Sequence, residues 1–223
     1  MNKYQGMMDE LLDMTYELYQ RGYVTPTGGN LSMRCPDDPG KILITPTSVY
    51  KRKLKAEHLL FVDLQGNVLE GKFKASVETP IHLAIYRARS DVNVVIHSHT
   101  IYTTIWALTH LPFQYITGET VMMDKLPIID WTSGTEEAGK VVTNALGKEG
   151  HFVVIQNHGL VVAGPTLDWV AGVTDMIEVA CQIMVTCQMM GKAPELLSEK
   201  SIAMVRNKSI MSLLAGIPLE KGK

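Results

Sequence analysis

Three histidines have the spacing of a metal site. His97 and His99 follow a valine-rich apolar run at residues 92–96, and residues two apart on an extended strand point to the same side. Both imidazoles can therefore reach one cation. His158, next to Gly159, is the third candidate nitrogen, and three histidines leave a coordination position open for substrate, as in catalytic zinc sites. The spacing also allows the alternative that each histidine is an ordinary polar group at a strand end.

Glu78 is the acid expected beside these histidines. It falls at the start of a predicted helix, because Ser76 is a suitable N-cap and Pro80 suits the first turn. A carboxylate placed there can ligate a cation or transfer a proton. His82 lies one turn after Glu78 and is a candidate partner of the site. The other histidines are predicted to be surface groups: His58, His110 and His151.

Three segments rich in glycine, hydroxyl and amide groups are candidates for binding an anion. They are the Thr-Gly-Gly-Asn turn at residues 27–30, Thr47 with Ser48, and Ser76. Backbone N–H groups and hydroxyls of this kind can cradle a phosphate, especially where a loop opens a helix. None matches a P-loop, and each one alone is also typical of an ordinary turn or cap.

The elements that must position these groups are of both types. Apolar residues spaced three and four apart predict helices at 4–19, 80–86, 102–108, 134–147 and 166–190. Short apolar runs between turn signals predict strands at 31–34, 41–45, 59–62, 68–69, 92–96, 152–156 and 160–163. Long helices interleaved with strands favour an α/β fold, a mixed sheet covered by helices, over a β-sandwich.

The composition restricts the class of protein. The 223 residues are 46% hydrophobic and 20% charged, and no Pro/Gly/Ser-rich linker interrupts them, which predicts a single domain over residues 1–223. The net charge of −2 argues against a nucleic-acid partner. Residues 167–190 are the most apolar region, but Asp168, Asp175 and Glu178 favour a core helix over a membrane span. We therefore expect no membrane partner.

Cysteine and tryptophan usage supports the same class. The three cysteines form no even framework, which together with the absence of a signal-like N-terminus predicts free thiols and a cytoplasmic location. The tryptophans are expected to be packing anchors. These are Trp106, Trp131 and Trp169.

In combination, the motifs resemble the class II aldolase/adducin family. In chain order they are Thr-Gly-Gly-Asn-Leu-Ser-x-Arg at 27–34, Ile-Thr-Pro-Thr-Ser at 44–48, Ser-x-Glu-Thr-Pro-x-His at 76–82, Val-Val-Ile-His-Ser-His at 94–99 and Asn-His-Gly-Leu at 157–160. The resemblance extends from the first helix to about residue 190. It implies a single α/β domain with a central, mostly antiparallel sheet, a C-terminal tail from about residue 195, and a homotetramer with active sites between subunits.

The resemblance also implies a role for each candidate residue. The zinc ligands of the family match His97, His99 and His158. Glu78 matches an acid that serves as general acid/base and contacts the metal when substrate is absent. The substrate-binding and phosphate-cradling positions match Asn30, Gly29, Thr47, Ser48 and Ser76. Tyr115 lies near the position of a tyrosine that, from the neighbouring subunit, protonates the departing aldehyde oxygen.

The implied reaction is the reversible cleavage of a ketose 1-phosphate to dihydroxyacetone phosphate and an aldehyde. The substrate would be similar to fuculose 1-phosphate or be another deoxy or pentulose phosphate, and zinc, or Mn²⁺ or Co²⁺ in its place, would stabilise the enediolate. The same site is compatible with a sugar-phosphate 4-epimerase, a sugar-acid decarboxylase or a dehydratase. A non-catalytic, adducin-like interaction module is less favoured because it would lack the metal ligands.

Two residues bear on the choice among these reactions. Epimerases of the family usually carry aspartate where this chain has Glu78, which favours aldol cleavage. Val77 stands where the aldolases commonly have a second hydroxyl residue before the acid, so one phosphate donor is missing.

Overall fold

Eight strands form one sheet in the part of the chain that the computed structural model describes, residues 3–123, 126–132 and 134–207. The strands are β1 (Asn30–Cys35), β2 (Asp38–Ile44), β3 (Leu60–Asp63), β4 (Val68–Glu70), β5 (Val94–Ser98), β6 (Ile128–Ile129), β7 (Phe152–Ile155) and β8 (Gly159–Gly164). Their order is β4-β3-β2-β1-β5-β8-β7-β6. Only β6 and β7 pair in parallel among these strands, which confirms the prediction of a mostly antiparallel sheet.

Helices cover both faces of this sheet. They are α1 (Gln5–Gln20), α2 (Thr79–Ala88), α3 (Ile101–Thr109), α4 (Gly118–Met122), α5 (Glu136–Leu146), α6 (Leu167–Met189) and α7 (Glu199–Val205). One apolar core joins α1, α3 and α6 to one face, and a second joins α2 and α5 to the other. The central strands are apolar on both sides because both faces are buried.

The alternation of side chains along β5 shows this arrangement. Val94 and Ile96 belong to the core under α1, α3 and α6, whereas Val95 belongs to the core under α2 and α5. β5 lies between β1 and β8, and His97 is level with Asn30 on β1 and Val161 on β8. The strand that carries the first candidate ligand is therefore held on both edges.

Two of the predicted boundaries that differ from the structure lie beside the candidate site. β5 runs two residues further than expected, through His97 and Ser98, because its pairing with β8 continues to Ser98 opposite Leu160. The N-cap of α2 is Glu78 rather than Ser76. Ser76 stabilises the turn before the helix instead, since its hydroxyl accepts the Glu78 N–H at 3.3 Å. The two strands that pair with β5 lie far from it in the sequence. The apolar pattern of β5 itself therefore could not show where this strand ends.

Helix α6 is the one described helix that is long and apolar enough to cross a membrane, and half of its apolar stretch is buried inside the domain. Val170, Ile177 and Met184 on this helix are fully buried. The helix therefore has the core position predicted for it. The cysteines are free thiols, as predicted, with Cys35 and Cys181 buried.

The predicted C-terminal tail is described only in part. Helix α7 follows residue 195, and the N–H of Leu197 donates to the carbonyl oxygen of Tyr115. The rest of the tail, after residue 207, lies outside the described residues.

A buried carboxylate links α6 to the helix that follows the histidine pair. Glu178 accepts hydrogen bonds from the backbone N–H groups of Tyr102 and Thr103, both at 2.8 Å, and from the Thr103 hydroxyl at 2.7 Å. A carboxylate at a helix N-terminus also interacts favourably with the helix dipole. Glu178 therefore fixes the start of α3 directly after His99.

Replacing Glu178 with alanine should lower the free energy of unfolding by about 3 kcal/mol, because three buried donors lose a charged acceptor. Glu178→Gln retains one acceptor oxygen and should lose less. Urea denaturation followed by circular dichroism measures both. Glu10, which is exposed on α1, provides the control, with an expected change within about 0.5 kcal/mol. Equal losses in the alanine and control variants would contradict this role.

Candidate functional site

Four predicted side chains converge at one end of β5. Glu78 precedes α2, His97 lies on β5, His99 follows it, and His158 lies in the turn between β7 and β8. One ligand atom from each of the four lies within 4.8 Å of the others. Glu78 and His97 are buried, and His99 and His158 are half-buried. The structure therefore brings together the three histidines and the acid that the sequence pattern singled out.

Local backbone geometry allows this convergence. His97 and His99 project from the strand end with their Nε2 atoms 3.1 Å apart. His158 sits in a tight turn where Asn157 adopts a left-handed conformation, with φ of 58°. At Gly159 a Cβ atom would lie 2.2 Å from the carbonyl oxygen of Ser98. Glycine at this position therefore lets the β7–β8 turn approach β5 closely enough for His158 to join the pair.

Backbone carbonyls orient two of the rings. His97 Nδ1 is 3.2 Å from the carbonyl oxygen of Leu160, and His158 Nδ1 is 3.2 Å from that of Thr132. A carbonyl oxygen only accepts hydrogen bonds, so each Nδ1 carries the proton and donates. In the neutral imidazole the Nε2 atom then presents its lone pair to the centre of the site. This is the usual second contact of a histidine that ligates a metal.

The centre of the site has acceptors but too few donors. Glu78 Oε2 and Oε1 lie 3.2 Å from Nε2 of His97 and Nε2 of His158, respectively. With both Nδ1 protons committed to carbonyls, neutral rings offer these oxygens lone pairs rather than N–H groups. Glu78 Oε1 is buried and has no hydrogen-bond partner among the described residues. Converging lone pairs and a buried carboxylate repel one another unless a cation lies between them, so the donor set fits a divalent metal ion.

Burial also keeps two of the imidazoles neutral. It lowers the pKa of His97 well below the ordinary value, and the neighbouring His99 and His158 lower it further. The pKa of His99 is lowered mainly by burial and then by His158. Because a metal binds the unprotonated imidazole, both groups are in the ligating form at neutral pH.

A cavity of about 270 Å³ adjoins the four side chains. Its walls include Glu78, His99 and His158. The other lining residues are Thr27, Gly28, Gly29, Asn30, Pro46, Thr47, Ser76, Val77, Trp131 and Gly134. A larger depression of about 570 Å³ between α1 and α6 contains acidic side chains but none of the four converging residues.

The predicted anion-binding residues are placed close to one another. Gly29, Thr47 and Ser76 line the cavity, and the Ser48 hydroxyl lies 3.5 Å from that of Thr47 without being part of the wall. The loop that carries Thr47 is held beside Ser76 because the Thr47 N–H donates to the carbonyl oxygen of Lys74 at 3.0 Å. Three separate segments therefore supply polar groups to one cavity.

Asn30 also lines the cavity, but its amide is already engaged. Its Nδ2 donates to Glu78 Oε2 at 2.8 Å, and its Oδ1 lies 2.5 Å from Nε2 of His82. Nδ2 carries a second hydrogen, so the amide can still donate to a substrate. His82 is a partner of the site through Asn30, in agreement with its predicted position one turn after Glu78.

Tyr115 does not line the cavity of its own chain. Its hydroxyl accepts a hydrogen bond from Arg206 Nη2 at 3.1 Å. The role predicted for Tyr115 belongs to the site of a neighbouring subunit and stays a prediction.

Three predictions about other side chains were wrong. Trp131 is 62% exposed and lines the cavity instead of anchoring the core, although Trp106 is buried. His58 and His151 are half-buried rather than surface groups. His58 packs against Phe73. A partner at this distance in the sequence cannot be inferred from the residues next to a histidine, so the burial of these side chains was not predicted.

Lys51 is a feature that the sequence did not reveal. It is only 2% exposed, and its Nζ has no hydrogen-bond partner in the described part of the chain. Burial lowers its pKa to about 8, and the charge of Glu78 partly opposes that shift. The Lys-Arg-Lys run at residues 51–53 is typical of a solvated surface, so only the packing shows that its first ammonium group is buried.

The sequence of this chain is similar to sequences of one known protein family. Residues 9–185 match the Class II Aldolase and Adducin N-terminal domain. The chain is 32% identical over 161 residues to L-fuculose phosphate aldolase of Methanocaldococcus jannaschii, covering 71% of this chain and 84% of that protein. It is 30% identical over 202 residues to L-fuculose phosphate aldolase of Escherichia coli strain K12, covering 89% and 92%.

Solved structures share the fold. An L-fuculose 1-phosphate aldolase superposes with a TM-score of 0.81 at 24% identity, over 92% of this chain and 96% of that chain. YgbL of Klebsiella pneumoniae, described as a putative aldolase/epimerase/decarboxylase, superposes with a TM-score of 0.81 at 27% identity, over 91% and 98%.

Lys51→Met should stabilise the protein at neutral pH, because it removes a buried ammonium that has no hydrogen-bond partner among the described residues. The lowered pKa means that the folded protein releases this proton above about pH 8, whereas the unfolded chain retains it to about pH 10.5. The wild type should therefore gain stability relative to the variant across that interval. The gap at neutral pH is expected to reach about 3 kcal/mol at most.

Urea denaturation of both proteins at several pH values between about 7 and 10 measures this gap. Lys53→Met, at an exposed position of the same short helical turn, is the matched control and should show no such pH dependence. A gap between Lys51→Met and wild type that stays constant with pH would contradict the burial of a charged Lys51.

Proposed function

The chain belongs to the class II aldolase and adducin family, and on that premise we propose that it is a zinc-dependent aldolase. The proposed reaction is the reversible cleavage of a ketose 1-phosphate, such as a deoxy or pentulose phosphate, into dihydroxyacetone phosphate and an aldehyde. One observation carries the proposal. The ligand atoms of Glu78, His97, His99 and His158 converge within 4.8 Å, and all of these residues except His97 line a cavity that glycine and hydroxyl loops also line.

The donor set supports zinc as the metal. Three imidazole nitrogens with a nearby carboxylate are typical of catalytic zinc sites, whereas structural sites usually close with cysteine. The described cysteines are not part of the four-residue group. Mn²⁺ and Co²⁺ accept the same donors. When bound, the cation supplies Lewis-acid polarisation of the substrate carbonyl and stabilises the negative charge that develops as the carbon–carbon bond breaks.

Glu78 is proposed to transfer the proton. In the cleavage direction it would protonate the carbon next to the carbonyl of the three-carbon product, and in the synthesis direction it would remove that proton. The residue is only 6% exposed, so little water competes for the proton. The Asn30 Nδ2 donates to this carboxylate at 2.8 Å, and Glu78 is the N-cap of α2.

The loops around the cavity are proposed to bind the phosphate. Gly29 would offer its backbone N–H, and Thr47, Ser48 and Ser76 would offer hydroxyls. Val77 is 68% exposed beside them and contributes no side-chain donor. The phosphate would therefore be held by fewer hydroxyls than in the aldolases that have two such residues before the acid.

The assembly proposed for the active enzyme is a cytoplasmic homotetramer. Each chain would form one domain over residues 1–223, with a C-terminal tail from about residue 195. In the cleavage direction, Tyr115 of a neighbouring subunit would take up the proton that the substrate hydroxyl loses as it becomes the aldehyde oxygen, and in the synthesis direction it would donate that proton to the aldehyde oxygen. Tyr115 is not among the residues that line the cavity of its own chain, as a role in the site of a neighbouring subunit requires.

The reaction can be tested by the release of dihydroxyacetone phosphate from a panel of ketose 1-phosphates. An NADH-linked glycerol-phosphate dehydrogenase detects this product. We expect release by the zinc-loaded wild type and a loss in kcat of about 10²- to 10⁴-fold in Glu78→Gln, the range attributed to general acid–base catalysis. Glu137→Gln, an exposed acid on α5, should retain full activity.

The alternatives give different products in the same panel. No dihydroxyacetone phosphate from fully zinc-loaded enzyme would exclude the aldolase. An epimerised sugar phosphate, or carbon dioxide from a sugar acid, would instead identify an epimerase or a decarboxylase. Full activity of Glu78→Gln would contradict the role of Glu78.

Metal analysis tests the ligand set separately. Wild-type protein dialysed after zinc loading should retain about one zinc per chain, because three imidazoles with a carboxylate form a complete set. His158→Ala should lose most of this zinc. His151→Ala, which removes a half-buried histidine outside the group, should retain it. Equal zinc in all three proteins would argue against His158 as a ligand.

A further inference from the structure

A buried chain of hydrogen bonds leads from Glu78 into the interior of the protein. Glu78 Oε2 is 2.8 Å from Asn30 Nδ2, and Asn30 Oδ1 is 2.5 Å from His82 Nε2. His82 Nδ1 is 2.6 Å from Ser32 Oγ, which is 2.8 Å from the hydroxyl of Tyr86. All five residues are at most 6% exposed. Glu78 and Asn30 line the cavity, whereas the inner members, His82, Ser32 and Tyr86, are shielded from bulk water.

The fold builds this chain from one strand and one helix. Asn30 and Ser32 are two apart on β1 and share a face of the sheet. His82 and Tyr86 are four apart on α2 and share the helix face that packs on it. In the series of hydrogen bonds, residues of β1 alternate with residues of α2, so each hydrogen bond among these four residues joins β1 to α2.

Only one donor direction satisfies every group. The carboxylate oxygen of Glu78 accepts a hydrogen bond, so the Asn30 amine faces it and the Asn30 oxygen faces His82. That oxygen requires a donor, which places the proton of His82 on Nε2 and leaves Nδ1 to accept from the Ser32 hydroxyl. Ser32 in turn accepts from Tyr86. Burial lowers the pKa of His82 to about 3, so the ring is neutral throughout the working range of an enzyme.

This series of hydrogen bonds orients its side chains and does not conduct protons. The amide of Asn30 stands between His82 and Glu78 and does not take up and release protons near neutral pH. A proton on Glu78 therefore has no continuous route to Tyr86. The effect of His82 on Glu78 must pass through the orientation of Asn30.

We propose that His82 is a positioning residue for the proton transfer by Glu78. Its Nε2–H holds the Asn30 amide in the one orientation that donates to the carboxylate. An amide turned by half a rotation would place Asn30 Oδ1 against Glu78 Oε2, and two acceptors at hydrogen-bond distance repel each other. The carboxylate would then lose its only described hydrogen-bond donor. This inference rests on the proposed function.

Steady-state kinetics of a matched pair of variants provide the first test. His82→Gln can replace the Nε2–H donor, whereas His82→Asn can replace only the Nδ1 side. We expect kcat to fall about 10- to 100-fold in His82→Asn, the cost typical of losing such a partner, with KM nearly unchanged. His82→Gln should recover most of the loss. Equal kcat values for the two variants would overturn the proposal.

Two controls separate positioning from general destabilisation. Tyr86→Phe removes only the outermost hydroxyl and should change kcat by less than about threefold, within the range of a modest hydrogen bond. Asn30→Ala should lower kcat, and Asn30→Ala combined with His82→Asn should lower it no further, because His82 acts through Asn30. Additive losses would show a separate structural role and would count against the proposal.

The protonation of His82 gives a readout that requires no substrate. Nitrogen-15 NMR of the protein, with and without zinc, distinguishes the two neutral tautomers. We expect the proton on Nε2 in both states. A proton on Nδ1 would overturn the inference, because the Asn30 oxygen would have no donor. If the zinc-loaded wild type cleaves no ketose phosphate, the proposed function fails, while the tautomer still decides the part of His82.

Discussion

The buried carboxylate of Glu78 is the group on which the rest of the site depends. Removing an ionised carboxylate from water costs several kcal/mol unless other groups replace its hydration. The described residues provide one hydrogen-bond donor, from Asn30, and leave the other oxygen without one. The N-terminus of α2 adds a partial positive charge. A cation among the three imidazoles would supply the remaining compensation. The burial of Glu78, which is costly without a cation, therefore favours the binding of a cation at this position.

The central sheet supplies the rigidity that such a site requires. His97 is level with Asn30 on one neighbouring strand and Val161 on the other, and a shift of one residue in either pairing would turn these side chains to the opposite face. The apolar cores on both faces oppose such a shift. The carbonyls that orient His97 and His158 are also backbone groups. The orientation of the His97 ring therefore depends on strand pairing, and that of the His158 ring depends on the segment after β6 that contains Thr132.

The cavity differs from this centre in character. Glu78, His97 and Asn30 are buried and polar, whereas Val77 and Trp131 are exposed apolar groups at the opening. The side chains proposed to take part in the chemistry are thus the buried ones, whose positions are restricted by packing. The exposed side chains of Val77 and Trp131 leave that part of the cavity wall in contact with solvent.

The sequence by itself determined the class of fold and the identity of the converging side chains. The His-x-His spacing at a strand end, an acid at a helix start and the interleaved helices and strands are local patterns, and local patterns reflect backbone geometry directly. The tertiary structure alone decided the burial of Lys51, the exposure of Trp131 and the link from Glu78 through Asn30 to His82. These depend on partners far apart in the chain, with Asn30 and His82 separated by 52 residues. Such contacts form only when β1 and α2 pack together, so no periodicity within either segment could reveal them.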